Sequence, residues 1–189
     1  ADGVDELHAR SGAGLSASSM RPLKRPRPDV RGRAVFHSNT ELVIERWRDL
    51  ARHGRTPGRR ALHPSAFPKL LPQVLILGRT GPGDYRIRLA GALVAEVHRQ
   101  SDTGLIGRDG LADFARHDRA ALRTALETSR RNCEPVVLRT DALWGPTGAE
   151  LEMVFAPLAG DDGGPDRFLG LYQPFGRLPS TRNPLSPQF

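Results

Sequence analysis

The stretch DYRIRLAGALVAEVHRQSDTG, residues 84 to 104, changes its hydrophobic period in the middle, and this change restricts the fold more than any other feature. Up to Leu89, apolar and charged residues alternate, which is typical of a strand with one buried face. From Ala92 onward the apolar residues recur at helical spacing. A strand therefore leads directly into a helix at Ala90 and Gly91. We attribute Gly91 to close packing at the point where the strand meets the helices that cover the sheet.

The other periodic segments predict an α+β fold. Ser38 and Glu41 form a capping-box pattern before a predicted helix, residues 39 to 51, with an apolar stripe that includes Leu42, Ile44 and Trp47. QVLILGR and the strand at 84 to 89 predict an antiparallel hairpin. A long helix is predicted over 111 to 131, and three strand-like runs follow it, EPVVLRTDALW, AELEMVFAPLAG and DRFLGLYQPF. This order lacks the repeated strand-helix alternation of a doubly wound sheet.

The length of 189 residues allows one domain with tails. Residues 1 to 35 carry few large apolar side chains, so we predict a disordered basic, proline-rich tail there. The predicted domain spans residues 36 to 176, and residues 177 to 189 form a second tail.

The formal net charge of +7 raises the possibility of nucleic-acid binding. The segment from Arg21 to Arg33 alternates prolines with cations and is the candidate contact. Against this, nearly all cations are arginines spread along the chain, which favours a generally basic surface. Nucleic-acid binding therefore stays an alternative to the main interpretation.

Cysteine usage and hydropathy predict a soluble cytoplasmic protein. Cys133 is the single cysteine, which excludes an intramolecular disulfide and a cysteine-based zinc site. No run approaches the roughly 18 apolar residues that a membrane-spanning helix needs, so we predict no membrane contact.

The amino-acid sequence of several segments resembles that of a bacterial family of small, stand-alone PAS proteins of the alphaproteobacterial type. The resembling pieces are ELVIERWRDL, GRTPGRRALHPSAFPKLLPQVLIL, YRIRLAGALVAEVHRQSDTGLIGRD and RFLGLY, and together they span about residues 38 to 175. The most specific piece is the strand Y-R-I-R-L-A-G that runs into a helix ending near Thr103 and Gly104.

This resemblance implies a PAS fold, a five-stranded antiparallel sheet covered on one face by short helices and one longer helix, with an N-terminal helix. It also implies a non-enzymatic sensory module that acts through a signalling or regulatory protein partner, with a small apolar ligand as one route of regulation. In such proteins the N-terminal helix packs on the domain or pairs two copies, so a homodimer through residues 39 to 51 is one of two arrangements that the resemblance implies.

A ligand, if bound, is expected between the sheet and the helices. The side chains that we predict to line such a pocket, each also explained as ordinary core, are Leu89, Leu93, Val97, Phe114, Leu122, Val137, Met153 and Phe155.

His98 is a weak candidate for a haem ligand at the end of the switch helix. Its neighbours Arg99 and Gln100 favour a solvent-facing role at the helix C-terminus instead. The cofactor therefore stays unknown, with no cofactor as the favoured prediction, and a haem- or flavin-binding sensor stays an alternative function. Flavin photochemistry of the light-sensing relatives is rejected, because their NCR-type motif does not occur between Ala90 and Gly110.

The sequence carries no catalytic motif that spacing alone can place. Cys133 could act as a nucleophile with His117 or His98 as its base, but a packed thiol explains Cys133 better. His117 is predicted on an exposed helix face. Trp144 is equally well explained as a cover for the sheet edge and as a partner contact.

Overall fold

Five antiparallel strands form one sheet in the computed structural model of the chain, which describes residues 36–51, 55–98, 102–114, 116–140, 150–160 and 164–175. The strand order across the sheet is β2-β1-β5-β4-β3, so β2 and β3 are its edges. The strands are β1 Val74–Gly81, β2 Asp84–Ala90, β3 Val136–Thr140, β4 Glu150–Ala159 and β5 Pro165–Phe175. The predicted α+β fold and five-stranded sheet are confirmed.

Helices precede the sheet and interrupt it after β2. They are α1 Ser38–Leu50, two 3₁₀ helices at Pro64–Ala66 and Pro68–Gln73, α2 Ala92–Val97, α3 Asp102–Leu105 and α4 Arg116–Asn132. The helix α4 begins five residues later than we predicted. Leu111 and Phe114 are nevertheless buried, because the segment before α4 packs against the sheet. No helix in these described ranges is long and apolar enough to cross a membrane.

The two faces of the sheet carry separate apolar clusters. We call the face toward α2, α3 and α4 the inner face, and these helices with the segment before α4 the roof. The opposite, outer face packs against α1 and the 3₁₀ helices. On β4, for example, Met153 and Phe155 point to the inner cluster, whereas Val154 and Ala156 point to the outer one. Coverage thus extends beyond the single face that the family resemblance led us to expect.

The helix α1 begins differently from the prediction. His37 occupies the N-cap position and its Nδ1 accepts a hydrogen bond from the Asn39 amide, so the Ser38 and Glu41 capping box is wrong. The stripe that packs on the outer face consists of Val43, Ile44 and Trp47. Leu42, which we had included, is about half exposed at 48%.

Two contacts fix α1 to the outer face at its two ends. Trp47 donates through Nε1 to the Pro157 carbonyl at 2.7 Å. The His37 amide donates to the buried carboxylate of Glu152 at 3.0 Å, and the Arg139 guanidinium lies 2.8 Å from the other carboxylate oxygen. An anion therefore sits at the N-terminus of α1, where the helix dipole favours it.

Gly91 joins β2 to α2 in a backbone conformation that any residue can adopt, with φ −76° and ψ 164°. Its amide donates to the Val74 carbonyl at 2.8 Å. A Cβ at this position would collide with the carbonyl groups of Leu71 and Pro72. The glycine is thus required by close packing, as the sequence predicted.

Candidate functional site

Large aromatic side chains lie between the inner face and the roof. Four aromatic side chains of the sheet are fully buried: Tyr85, Phe155, Phe168 and Tyr172. Phe114 belongs to the roof and packs in the same cluster. Several of these rings contact one another edge to face, including Tyr85 with Phe168 at 5.8 Å between centroids and Phe155 with Tyr172 at 6.4 Å. Such pairs stabilise a core beyond the burial of their area alone.

Most of the predicted pocket residues meet in this interior. Five of them belong to the buried inner cluster and Leu93 packs against it; the five are Val97, Phe114, Leu122, Met153 and Phe155. The structure therefore groups these six side chains, and it packs them against each other and against the aromatic rings.

Leu89 and Val137 lie on the outer face, so their placement on the inner face was wrong. In β2, Ile87 pairs with Leu77 while Leu89 pairs with Ile76, so one residue of β2 is extra at this point. Such a bulge turns the following side chain to the other face of the sheet. For Val137 we chose the wrong residue of an apolar pair, because β3 directs Val136 and Leu138 inward and Val137 outward.

His98 is buried beneath the roof, in contrast to the solvent-facing position that we favoured. Its side chain is 1% exposed, its Nδ1 lies 2.9 Å from Oδ2 of Asp113, and its Nε2 lies 3.3 Å from the hydroxyl of Tyr172. The Phe114 and Tyr172 rings pack against it with centroids 5.9 and 5.8 Å away.

The partners of His98 define one fully satisfied arrangement of protons. A neutral imidazole donates through one nitrogen and accepts through the other. A carboxylate can only accept, so Nδ1–H donates to Asp113 and Nε2 accepts from the Tyr172 hydroxyl. Burial lowers the pKa of His98 below its ordinary value; the hydrogen bond and charge of Asp113 oppose this shift, and Arg108 adds to it. Burial, followed by the charge of Asp113, raises the pKa of Tyr172.

This arrangement does not fit a haem ligand. Iron ligation needs a ring-nitrogen lone pair that faces the metal. The Nε2 lone pair of His98 accepts from Tyr172, and Nδ1 faces Asp113. The Phe114 and Tyr172 rings also pack against the imidazole.

A second polar cluster ties the β1–β2 turn to α4. The Glu127 Oε1 accepts from the Tyr85 hydroxyl at 2.7 Å, the Gly83 amide at 3.1 Å and Nε of Arg79 at 3.2 Å. Its Oε2 accepts from Nε of Arg130 at 3.0 Å. The carboxylate is therefore held by four donors, one each from β1, the β1–β2 turn, β2 and α4.

The protonation of this cluster follows from its hydrogen bonds. Partial burial opposes the ionised form of Glu127, but the bonds from Tyr85, Arg130, Arg79 and the Gly83 amide together outweigh it and lower the pKa of the carboxyl to about 2. Burial, followed by the bond to Glu127, raises the pKa of the Tyr85 phenol. Glu127 is thus an ionised structural acceptor at neutral pH.

Cys133 follows α4 in the left-handed conformation, with φ 52°, and its Sγ contacts the Arg130 carbonyl at 3.6 Å. His98, one of the two bases proposed for Cys133, is buried and hydrogen-bonded to Asp113 and Tyr172 instead. The side chain of His117, the other, lies outside the described residues, as do Trp144 and the Arg21 to Arg33 segment. Within the ranges described, no group of three or more His, Cys, Asp or Glu side chains is placed to hold a metal ion.

A groove of about 550 Å³ lies between α4 and the edge strand β3, and we call it the α4–β3 groove. Small side chains of α4 form one wall, among them Ala120, Ala121, Thr124, Ala125 and Thr128. Val136 and Leu138 of β3 line the other wall, and Asn132, Glu134 and Pro135 lie at the end where the chain passes from α4 to β3.

Sequence reasoning missed three residues that organise these clusters. Tyr172 had an available signal, since it shares the inner face of β5 with Phe168 at strand period. Asp113 fell inside the helix that we predicted to begin at residue 111. Glu127 lies on α4 between arginines and resembles any solvated helix charge, so nothing local distinguishes it.

Comparison with known proteins places these observations in a family. A family model described as a PAS domain matches residues 35–173. The PAS domain of a protein from Colwellia psychrerythraea is 14% identical, with a TM-score of 0.45 and coverage of 59% of this chain and 92% of that one. A domain of an HTR-like protein from Haloarcula marismortui is 14% identical, with a TM-score of 0.43 and coverage of 55% and 98%. A blue-light activated histidine kinase from Erythrobacter litoralis is 19% identical, with a TM-score of 0.43 and coverage of 61% and 36%. No curated protein matches the chain.

Proposed function

Because the match over residues 35–173 covers more than half of it, the chain belongs to the PAS domain family, and we propose that it is a non-enzymatic module that regulates by binding another protein. PAS domains are generally sensory rather than catalytic. We propose further that this module works without a resident cofactor. The bacterial, cytoplasmic setting inferred from the sequence remains part of the proposal.

The observation that carries the proposal is the closure of the interior around His98. Both ring nitrogens have partners, and the Phe114 and Tyr172 rings pack against the imidazole. Fully buried side chains such as Leu122 and Leu126 lie in this interior. Moving a buried leucine out of such a core costs a few kcal/mol, so we favour an interior occupied by side chains over one that opens for an apolar ligand.

Binding of a second copy through the 39 to 51 helix would need a side of α1 other than its apolar stripe. Val43, Ile44 and Trp47 already pack on the outer face of the same chain. Leu42 is the large apolar side chain of α1 that stays exposed. A homodimer through this helix is therefore not the interaction that we favour.

The first test is the absorbance of the full chain, purified from cells supplied with riboflavin and a haem precursor. We expect no visible absorption band. A haem or flavin band in stoichiometric amount would contradict the cofactor-free proposal, and its loss in Tyr172→Phe would place the group beside His98.

The second test is cross-linking in the source cells followed by identification of the attached proteins. We expect one protein partner in stoichiometric yield. If the chain instead binds duplex DNA or RNA with steep salt dependence, and removal of residues 1 to 35 abolishes that binding, the nucleic-acid alternative replaces protein binding.

A further inference from the structure

We propose that the α4–β3 groove is the docking site for the partner, which binds as an extended segment that adds a strand beside β3 and carries acidic residues near its ends. This inference rests on the proposed function, because it names the surface through which that function acts.

The edge of the sheet supplies the first argument. The strand β3 is last in the strand order and pairs with β4 on one side. In the part of the chain that the structure describes, no strand pairs with its other side. An open edge presents backbone amide and carbonyl groups, and extended peptides bind such edges through main-chain hydrogen bonds.

The shape of the groove supplies the second argument. A strand that pairs with β3 would direct alternate side chains toward α4. The α4 wall carries alanine and threonine at 120, 121, 124, 125 and 128, so it leaves room for small or medium apolar side chains. The turn after α4 is fixed, since the Ser129 hydroxyl donates to the Glu134 carbonyl and the Glu134 amide donates to the Ser129 carbonyl. The groove is thus a formed surface with one closed end.

Charge supplies the third argument and selects the partner. Arg116 lies one helical turn before Ala120 on the same side of α4. At the other end Nη2 of Arg131 lies 3.4 Å from Oγ1 of Thr128, a residue that lines the groove. Among the lining residues that the structure describes, Glu134 is the single acid. Two arginines against one glutamate, on a chain of net charge +7, favour an acidic partner.

The same charges disfavour a second copy of this chain. A two-fold pairing of β3 edges would bring two α4 helices together with their arginines. Like charges placed opposite each other across an interface oppose its formation. An acidic segment from another protein meets the same surface without this repulsion.

The experiment selects binders to the full chain from a displayed library of random linear peptides and compares two matched variants. Thr124→Trp fills the groove at an exposed helix position. Thr80→Trp makes the same change at an exposed position of β1, which two strands separate from β3. We expect selected peptides to be rich in Asp and Glu and to lose about tenfold in affinity with Thr124→Trp but not with Thr80→Trp.

Arg131→Glu, with Arg46→Glu on α1 as its control, tests the charge argument. We expect the acidic peptides to bind more weakly to Arg131→Glu than to wild type, and to bind Arg46→Glu as tightly as wild type. Peptide addition should shift the amide NMR signals of residues 120 to 138. Failure to select any peptide, peptides without acids, or equal binding to Thr124→Trp would each overturn the proposal. So would a wild-type dimer that becomes monomeric in Thr124→Trp, or tighter peptide binding after removal of residues 176 to 189.

The partner identified by cross-linking separates this inference from the proposed function. If that protein binds wild type and Thr124→Trp equally, the function stands and the groove is not its site. If no protein partner is found at all, the function itself fails.

Discussion

At the scale of single residues, burial changes what a histidine or a carboxylate can do more than its sequence neighbours do. His98 stands beside Arg99 and Gln100, yet the fold places it between Phe114, Asp113 and Tyr172. Glu127 stands among arginines, yet it collects four hydrogen bonds. Both side chains therefore contribute to stability in a way that depends on pH.

His98 is expected to make the protein less stable in mild acid. Its folded pKa lies below the ordinary value, so the unfolded chain binds more protons near and below pH 6.5. The contribution of His98 to the free energy of unfolding is then fully present above about pH 6.5 and decreases as the pH falls, by at most about 1.4 kcal/mol per pH unit for one proton. Urea unfolding at a series of pH values measures this slope.

The matched variant for this measurement is His98→Gln, which does not titrate. We expect a smaller loss of stability between neutral and mildly acidic pH than in wild type. The groups that face the imidazole are Asp113, Tyr172 and Arg108, and all are retained. Parallel slopes for the two proteins would show that His98 is not responsible.

Glu127→Gln is expected to lower the free energy of unfolding by about 1–3 kcal/mol at neutral pH, because hydrogen bonds to an ionised group are lost. The folded pKa of Glu127, about 2, lies below its ordinary value of 4.5. The stabilisation by the ionised carboxylate is therefore fully present above pH 4.5 and disappears as the pH falls toward 2. Urea unfolding of both proteins near neutral pH and near pH 3 tests this.

The control for this prediction is Glu45→Gln on the exposed side of α1, where we expect little change. A difference between wild type and Glu127→Gln that stayed constant into strong acid would contradict an ionised Glu127.

At the scale of elements, the change of period at Ala90 and Gly91 correctly predicted where β2 ends and α2 begins. The reason is that burial on one face of a strand and along one side of a helix leaves different periods in the sequence. The capping box and the bulge at Leu89 were not predictable in the same way. A cap depends on which neighbour turns its side chain back, and a bulge depends on pairing with β1, which lies outside the strand's own sequence.

Gly91→Ala is expected to lower the free energy of unfolding by about 1–3 kcal/mol, since its Cβ would press on the Leu71 and Pro72 carbonyl groups. Gly58→Ala is the matched control, because nothing lies within 4 Å of a Cβ at that position. Thermal or urea unfolding of the two variants measures the difference. Equal stability of the two would show that the approach at Gly91 relaxes without cost.

At the scale of the whole molecule, the sequence predicted the five-stranded antiparallel sheet through family resemblance, and six of the eight predicted pocket residues lie in or against the inner cluster. It left open whether α1 would pack on its own domain or pair two copies. The apolar stripe of a helix looks the same whether it packs on its own domain or on a second copy. Only the three-dimensional position of Trp47 and its bond to the Pro157 carbonyl distinguish the two.

The two faces share the strands that separate them, so we expect them to unfold together. Leu171 lies on the outer face of the central strand β5, beside the inner-facing Tyr172. Leu171→Ala should remove about 2–5 kcal/mol of stability. Hydrogen exchange should show this loss in the slowest amides of α4, on the inner side of the sheet, as well as in those of α1, on the outer side. The slowest amides of both helices report the global opening. Faster exchange confined to α1 would mean that the outer layer opens by itself. In that case α1 would be a detachable cover, and the outer face would compete with the α4–β3 groove as the surface offered to a partner.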